Sequence, residues 1–299
     1  MTELKLDEPL KSKYPKTQLG ITWYMFRRHK LAVFSLGMLL FLFLAAIFAE
    51  QLMPYDPIKL DPVYAKGRPQ PPTNEHWFGT DDLGRDLFSR ALSGARVSLA
   101  VGFISVGIST LIGLVIGSMA GFVGGWVDNI LMRLADIFLS LPTFYLIITV
   151  NSMFKPSIFN VMIVIGIFGW MGVSRLLRGE FLHLKNTEFI TAARAIGVPN
   201  MRMILKHLIP NSIAPVIVNA TMGIPSAILL ESALSFLGLG IQPPAASWGS
   251  MLQDAKQWLH FAWWMWVIPG VLISLTVIAF NFVGDGLRDA LDPLERGRG

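Results

Sequence analysis

The chain has 299 residues, of which 53% are hydrophobic and only 15% are charged, and its mean hydropathy is +0.53. A soluble domain carries about 25% charged residues, so this composition excludes an ordinary soluble protein. The net charge of +5 does not indicate nucleic-acid binding, because the basic residues cluster beside apolar runs. The chain has no cysteine, which excludes a disulfide framework and a cysteine-based metal site.

Runs of about 20 apolar residues, the length that crosses a ~30 Å hydrocarbon layer as a helix, predict an all-α polytopic membrane protein. The first run is longer than a signal-peptide core and begins late, so we interpret it as an uncleaved span. The six predicted spans are Leu31–Leu52, Val97–Val123, Val127–Phe154, Ile158–Leu177, Ile213–Leu239 and Phe261–Val283.

The basic residues predict the orientation. Segments on the side of the N-terminus hold 16 of them and the opposite segments hold 8, with Arg133 set aside inside a span. The excess predicts that both termini are cytoplasmic. The predicted parts are a cytoplasmic segment 1–30, a six-span domain 31–283 with an outer loop 53–96 and an inner loop 178–212, and a cytoplasmic tail 284–299. The sequence indicates neither a second domain that is soluble nor an internal repeat.

A polar stretch, "TEFITAARAIGVPNMRMILKHLIPN", follows the fourth span. We expect Thr187 to cap a helix that begins at Glu188 and closes at Gly197 in the left-handed conformation. Asn200 is expected to cap a second helix, and Pro210 to end it. The sequence therefore predicts a helix, a bend and another helix beneath the bilayer.

This first helix carries a small apolar surface. Glu188, Ala192 and Ala195 share one helical face, with Phe189, Ala193 and Ile196 beside it. A short helix with a flat alanine face and a leading carboxylate suits insertion into a groove on a partner. A loop that merely caps the helix bundle is the alternative, and the residues alone leave both interpretations open.

Three further groups of residues stand out. Gly113, Gly117 and Gly121 recur every four residues, which favours close helix packing against a neighbour in this chain or another. Intramembrane polar residues are candidates for the translocation pathway, although a solvated helix end, an ion pair or inter-helix anchoring explains them more simply. These pathway candidates are Glu231, Ser235 and Asp136.

The segment "GTDDLGRD" concentrates three aspartates before the second span. Its spacing does not match a 12-residue calcium loop, and no closing glutamate follows. We expect instead that Thr80 or Asp81 caps an interfacial helix. The C-terminal "GDGLRDALDP" is expected to leave the membrane as a short polar helix that Pro293 ends.

The polar stretch resembles the EAA loop of ABC importer permeases. The segments "FGTDDLGRDLFSRALSGARVSL", "GGWVDNILMRLADIFLSLP", "SFLGLGIQPPAASWGSML" and "NFVGDGLRDALDP" are similar to the second permease of the dipeptide/oligopeptide/nickel subfamily. In that family the loop forms a coupling helix that sits in a cleft of a cytoplasmic ATPase. The positions that match the loop motif are Glu188, Ala192, Ala193, Gly197, Ile209 and Pro210.

The resemblance implies a transport subunit of the plasma membrane of a bacterium or archaeon, not an enzyme. The implied partners are a second permease, two ATPase subunits that hold ATP and Mg, an external binding protein and the lipid bilayer. The chain has no G-x-x-x-x-G-K-[ST] phosphate loop, so we expect it to bind no cofactor itself. The alternatives are an ion-driven secondary transporter, a structural scaffold, or the same ABC architecture carrying nickel or another small solute.

Overall fold

A computed structural model describes residues 17–291 of the chain. Within that range the backbone is helical, apart from loops and a single β-bridge between Thr80 and Asp86. A π-helical turn, Ile204–Leu208, joins the tenth helix to the eleventh. The helices are α1 (Gln18–Arg28), α2 (Lys30–Ile47), α3 (Ala49–Leu52), α4 (Leu87–Val123), α5 (Gly125–Ser140), α6 (Thr143–Ser152), α7 (Ile158–Ile167), α8 (Trp170–Leu184), α9 (Glu188–Ala195), α10 (Asn200–Met203), α11 (Ile209–Phe236), α12 (Trp248–Ala255) and α13 (Trp263–Leu291).

Length and apolar composition single out the membrane spans. The bent pair α5–α6 is a further candidate span, which brings the number in the described residues to six. This result confirms a polytopic all-α membrane protein. The five other candidates are Lys30–Ile47, Leu87–Val123, Ile158–Leu184, Asn200–Phe236 and Trp263–Leu291.

The third span is broken, which the apolar run alone does not reveal. α5 and α6 meet at an angle of 87°. Leu141 at the break is extended, with φ −90° and ψ 142°, as expected for a residue that precedes proline. Pro142 has no N–H to continue the helical ladder, so α6 begins anew after it.

α4 is the central helix of the bundle and packs along α8. A Cβ on Gly113 would lie 2.5 Å from Val173 Cβ, and one on Gly117 would lie 2.6 Å from the carbonyl oxygen of Ser174. Gly121 approaches Phe181 in the same way. The neighbour of the glycine stripe is therefore a helix of this chain, and the two backbones pack too closely for any side chain at these positions.

Several predicted helix ends are wrong. Pro210 does not end a helix: it lies in the first turn of α11, directly after the π-helical turn. That wider turn bonds the N–H of Ile209 to the carbonyl of Ile204, so the missing N–H of Pro210 does not break the ladder. Pro199, not Asn200, occupies the cap position of α10.

α4 begins at Leu87, ten residues before the predicted span. Its cap is Asp86, whose carboxylate accepts a hydrogen bond from the backbone N–H of Ser89 at 2.8 Å. The expected cap at Thr80 or Asp81 is therefore wrong. The expected polar C-terminal helix is the last part of α13, which continues from the sixth span without a break to Leu291, and Pro293 lies outside the described residues.

Candidate functional site: the loop between the fourth and fifth spans

The end of α9 is fixed by a complete Schellman motif. Gly197 has φ +77°, and its N–H donates to the carbonyl of Arg194 at 3.0 Å. The N–H of Val198 donates to the carbonyl of Ala193 at 3.1 Å. These two bonds satisfy carbonyls at the helix end, and they require the left-handed conformation that glycine adopts without strain. The sharp bend predicted at Gly197 is present.

The start of α9 differs from the expectation. Thr187 occupies the cap position, but its side chain makes no capping bond to α9. Its hydroxyl instead donates to the carbonyl of Leu184 at 2.6 Å, at the end of α8. Thr187 thereby links the two helices, and the carboxylate of Glu188 lies in the first turn of α9, where the helix dipole favours it.

One face of α9 is buried in a cluster shared with the spans. Ile190 is fully buried and Ala193 nearly so, and both pack with Leu177 and Phe181 of α8. The π-helical turn joins the same cluster through Leu208, α11 joins it through Val216, and α4 through Leu114. α9 is therefore joined to three membrane-spanning helices by side-chain packing, so it and these helices form one packed unit.

The opposite face of α9 and the segment after it are exposed. Ile196 is 82% exposed, and Phe189, Met201 and Leu205 are also exposed apolar side chains. Ala192 lies on this exposed side. A solvent-facing row of large apolar residues on a polar loop is typical of a protein-binding surface.

The predicted coupling residues thus separate into two groups. Glu188, Ala192, Gly197 and Pro210 are exposed, whereas Ala193 is buried and Ile209 is partly buried in the cluster. The adjacent alanines therefore differ, because successive residues of a helix point about 100° apart. Ala192 is available to a partner, and Ala193 anchors α9 to the spans.

A lysine links the loop to the C-terminal end of α4. Lys185 Nζ donates to the carbonyl oxygen of Phe122 at 2.8 Å, and it lies 5.8 Å from the centre of the Phe122 ring. The carbonyls at a helix C-terminus have no partner within the helix, and they carry its negative dipole. Lys185 satisfies them and was not singled out from the sequence.

Glu231 and Ser235 lie together in a buried cluster. Both are fully buried, and the Glu231 carboxylate accepts hydrogen bonds from Ser235 at 2.6 Å and from Ser247 at 2.7 Å. The expectation of a solvated helix end or an ion pair at Glu231 is wrong, because hydroxyl groups surround the carboxylate. Neither residue lines the two cavities that lie along α11.

Asp136 forms a salt bridge with Arg175, and Asp128 is bonded to Arg178 at 2.5 and 2.7 Å through both guanidinium contacts. Both arginines belong to α8, so the two pairs anchor α5 to α8. For Asp136 this contact agrees with inter-helix anchoring, one of the simpler explanations given for the intramembrane polar residues.

The N-terminal end of α4 carries a second polar cluster, which was not predicted from the sequence. Asp81 bonds to Arg85 at 2.6 Å, and Arg90 bonds to Asp254 of α12 at 2.8 Å. Burial raises the pKa of Asp254, while Arg90 and Arg85 act to lower it. The signal for α12 was present, because Ser247 and Ser250 form a capping box at its start.

Known proteins share this sequence pattern and fold. The family model "Binding-protein-dependent transport system inner membrane component" matches residues 113–297, and "N-terminal TM domain of oligopeptide transport permease C" matches residues 17–72. The dipeptide transport system permease protein DppC of Bacillus subtilis is 42% identical, over 91% of this chain and 84% of its own length. The oligopeptide transport system permease protein OppC of Haemophilus influenzae is 42% identical, over 91% of this chain and 87% of its own.

A solved structure has a similar fold. The membrane chain of an inward-facing form of the MetNI methionine ABC transporter matches with a TM-score of 0.54 and 20% identity, over 69% of this chain and 98% of that chain. At this identity the likeness concerns the fold alone. The family model spans more than half of the chain, and the two relatives match over most of both lengths. The chain therefore belongs to the inner membrane components of binding-protein-dependent transport systems, the family that includes the DppC and OppC permeases.

Proposed function

We propose that the chain is one of two permease subunits of an ATP-driven importer of peptides. Support for the cargo comes from the relatives, whose names state dipeptide and oligopeptide transport. Support for an external binding protein comes from the description of the family as binding-protein-dependent. In this proposal the binding protein delivers a peptide to the outer mouth, and a second, related permease supplies the other half of the pathway.

The proposed orientation has both termini in the cytoplasm. It rests on the excess of basic residues, 16 against 8, in the segments on the N-terminal side. α9 and the loop around it then face the cytoplasm, while α12 and the loop before α4 face outwards.

In the proposed mechanism, α9 transmits movement from an ATPase to the membrane. Its exposed face, with Ala192 and Ile196, enters a groove on the ATPase, as short amphipathic helices do. Its buried face, with Ile190 and Ala193, moves α4, α8 and α11 because all four share one packed cluster. The two-faced packing of α9 is the observation that carries this function.

The chain holds no phosphate-binding loop, so ATP and Mg belong to two cytoplasmic partner subunits in this proposal. Closure of those subunits on ATP would displace α9, and hydrolysis would allow it to return. This chain contributes no catalytic residue; its part is a pathway and a mechanical contact.

A cross-linking experiment tests the contact, and it is favoured by the absence of native cysteine from the chain. In the purified complex, Ala192→Cys should cross-link to a nucleotide-hydrolysing subunit through a short bifunctional thiol reagent. Ala193→Cys is the matched control, because its side chain is buried against the spans. A complex without such a subunit, or equal cross-linking from both positions, would contradict the coupling role.

Uptake measurements test the class of transporter and its cargo. Proteoliposomes with the complete complex and binding protein should accumulate a labelled tripeptide only with ATP. Uptake that survives ATP depletion but stops when the proton gradient collapses would indicate a secondary transporter. ATP-dependent uptake of a nickel complex in place of the tripeptide would keep the architecture and change the cargo.

A further inference from the structure

A small cavity of about 200 Å³ lies halfway through the bundle, between α4, α6, α8 and α11. Within the described chain its lining includes no charged residue. Ser105 and Ser109 donate to the backbone carbonyls of Met162 and Val106, whereas Thr110 Oγ1 is buried with no hydrogen-bond partner. The polar lining residues are Ser105, Ser109, Thr110, Thr143, Asn219 and Ser226.

A larger cavity of about 710 Å³ adjoins it at Asn219 and lies on the cytoplasmic side in the proposed orientation. Its walls are α8 and α13, its floor is α11, and Asn219 lines both cavities. The two cavities follow one face of α11, since their lining residues recur every four positions. These residues are Asn211, Pro215, Asn219, Gly223 and Ala227.

The two ends of the groove differ in their lining, apolar at one end and charged at the other. Ile147 and Leu230 lie at the outer end, beside the apolar cluster that contains Val101 and Leu234. At the inner mouth the lining becomes charged, with Glu180 on α8 and Arg288 on α13. In the proposed orientation the charged end of this groove along α11 faces the cytoplasm.

Asn219 is the informative residue of this groove. It lies close to the middle of a membrane-spanning helix, its side chain is exposed, and its amide makes no hydrogen bond within residues 17–291. Lipid chains offer no hydrogen bonds, so an amide at this depth faces water, a partner helix or a solute. Because Asn219 lies on the floor where two cavities meet, a solute in the groove accounts for it best.

We propose that this groove is the inner half of the translocation pathway and that its neutral polar residues bind the backbone amides of a passing peptide. This inference rests on the proposed function. The amide of Asn219 and the hydroxyls of Thr110, Thr143 and Ser226 can both donate and accept hydrogen bonds, as peptide groups do. A site without charge would hold peptides of different side chains similarly, since every peptide carries the same backbone.

Cysteine accessibility tests the inference directly, because the chain has no cysteine of its own. Asn219→Cys and Asn211→Cys are introduced singly into the complete complex, together with the controls Ile217→Cys and Ile213→Cys. The controls lie at nearly the same depths on α11, are exposed, and line neither cavity. A membrane-impermeant methanethiosulfonate cation is added from the cytoplasmic side, and labelling of this subunit is measured.

We expect Asn211→Cys and Asn219→Cys to be fully labelled within a reaction time after which Ile213→Cys and Ile217→Cys are still unlabelled. Saturating trialanine should abolish most labelling at 219, whereas the same concentration of free alanine, which has no peptide group, should not. An unlabelled Asn219→Cys, or equal labelling of Ile217→Cys, would show that lipid or a partner helix covers the groove. Labelling that trialanine and alanine affect equally would overturn the peptide subsite.

Two additions keep the result interpretable. If Asn219→Cys does not assemble, Ser226→Cys occupies the same cavity and carries the same expectations. ATP-dependent uptake of labelled trialanine by the unmodified complex is measured in parallel. Failure of that uptake contradicts the proposed function, whereas uptake with an inaccessible or unprotected groove contradicts only the present inference.

Discussion

Arg90 Nη2 lies 2.8 Å from Asp254 Oδ2 and joins the N-terminal end of α4 to α12. The Arg90 side chain is only 3% exposed, and that of Asp254 is 29% exposed. The contact brings together residues 164 positions apart in the chain. It holds α12 against the bundle, at the end where, in the proposed orientation, the binding protein would deliver its cargo.

Removal of this contact should destabilise the protein. Asp254→Ala removes one of the two carboxylates that Arg85 and Arg90 share, and because Asp81 remains beside both arginines we expect only part of the about 3–5 kcal/mol that breaking a buried pair costs. We expect a clear fall in the thermal unfolding midpoint of the detergent-solubilised complex, as monitored by size-exclusion chromatography. Glu50→Ala is the control, because its pair with Arg96 is largely exposed and such pairs contribute about 0–1 kcal/mol. Equal midpoints for the two variants would count against a structural role of Arg90–Asp254.

Substitution of Glu231 should mainly lower the stability of the protein rather than affect transport directly. Glu231→Leu removes the acceptor for Ser235 and Ser247 and leaves buried hydroxyls unsatisfied, at about 1–3 kcal/mol. We expect a lower thermal midpoint, while Glu231→Gln, which retains an acceptor oxygen, should lose less. If Glu231→Leu instead kept the thermal midpoint of the unmodified protein and raised only the KM for peptide uptake, the interpretation of Glu231 as a pathway residue would be supported.

The glycine stripe predicts a contrast between two identical substitutions on α4. Gly117→Ala would place a Cβ 2.6 Å from a backbone oxygen of α8, so the helices must separate, at about 1–3 kcal/mol. Gly107→Ala has nothing within 4 Å and should be neutral or slightly stabilising. Thermal midpoints of the two variants measure the difference. A neutral Gly117→Ala would mean that α4 and α8 are not in close contact.

Gly197 predicts a defect in coupling without a defect in assembly. Gly197→Val has free space around its side chain, but φ +77° is unfavourable for a β-branched residue, by about 1–2 kcal/mol or more. We expect the Schellman bend to shift, membrane insertion to remain normal and uptake to be lost. Gly179→Val, also in open space but in ordinary helical backbone, is the control. Full uptake by Gly197→Val would argue strongly against coupling through α9.

Local features of the sequence were sufficient for much of this protein. Apolar length predicted the spans, the loop motif indicated the family, and Gly197 indicated the bend, because each depends on residues that are close in the chain. The helix ends were less predictable. Pro210 ends an isolated helix, but in the folded chain the π-helical turn before it bonds Ile209 to Ile204 and lets the helix continue.

The tertiary structure decided which residues are buried or exposed and which polar side chains meet. Ala192 and Ala193 are equivalent in the motif, and only packing against α8 and α11 exposes one and buries the other. Glu231 stood out in the sequence for its charge, yet it is enclosed by serines from three segments, whereas the uncharged Asn219 lies in an open groove. The physical reason is that the sequence of a helix indicates which of its residues tend to be buried, whereas the packing of helices against one another determines which cavities remain between them.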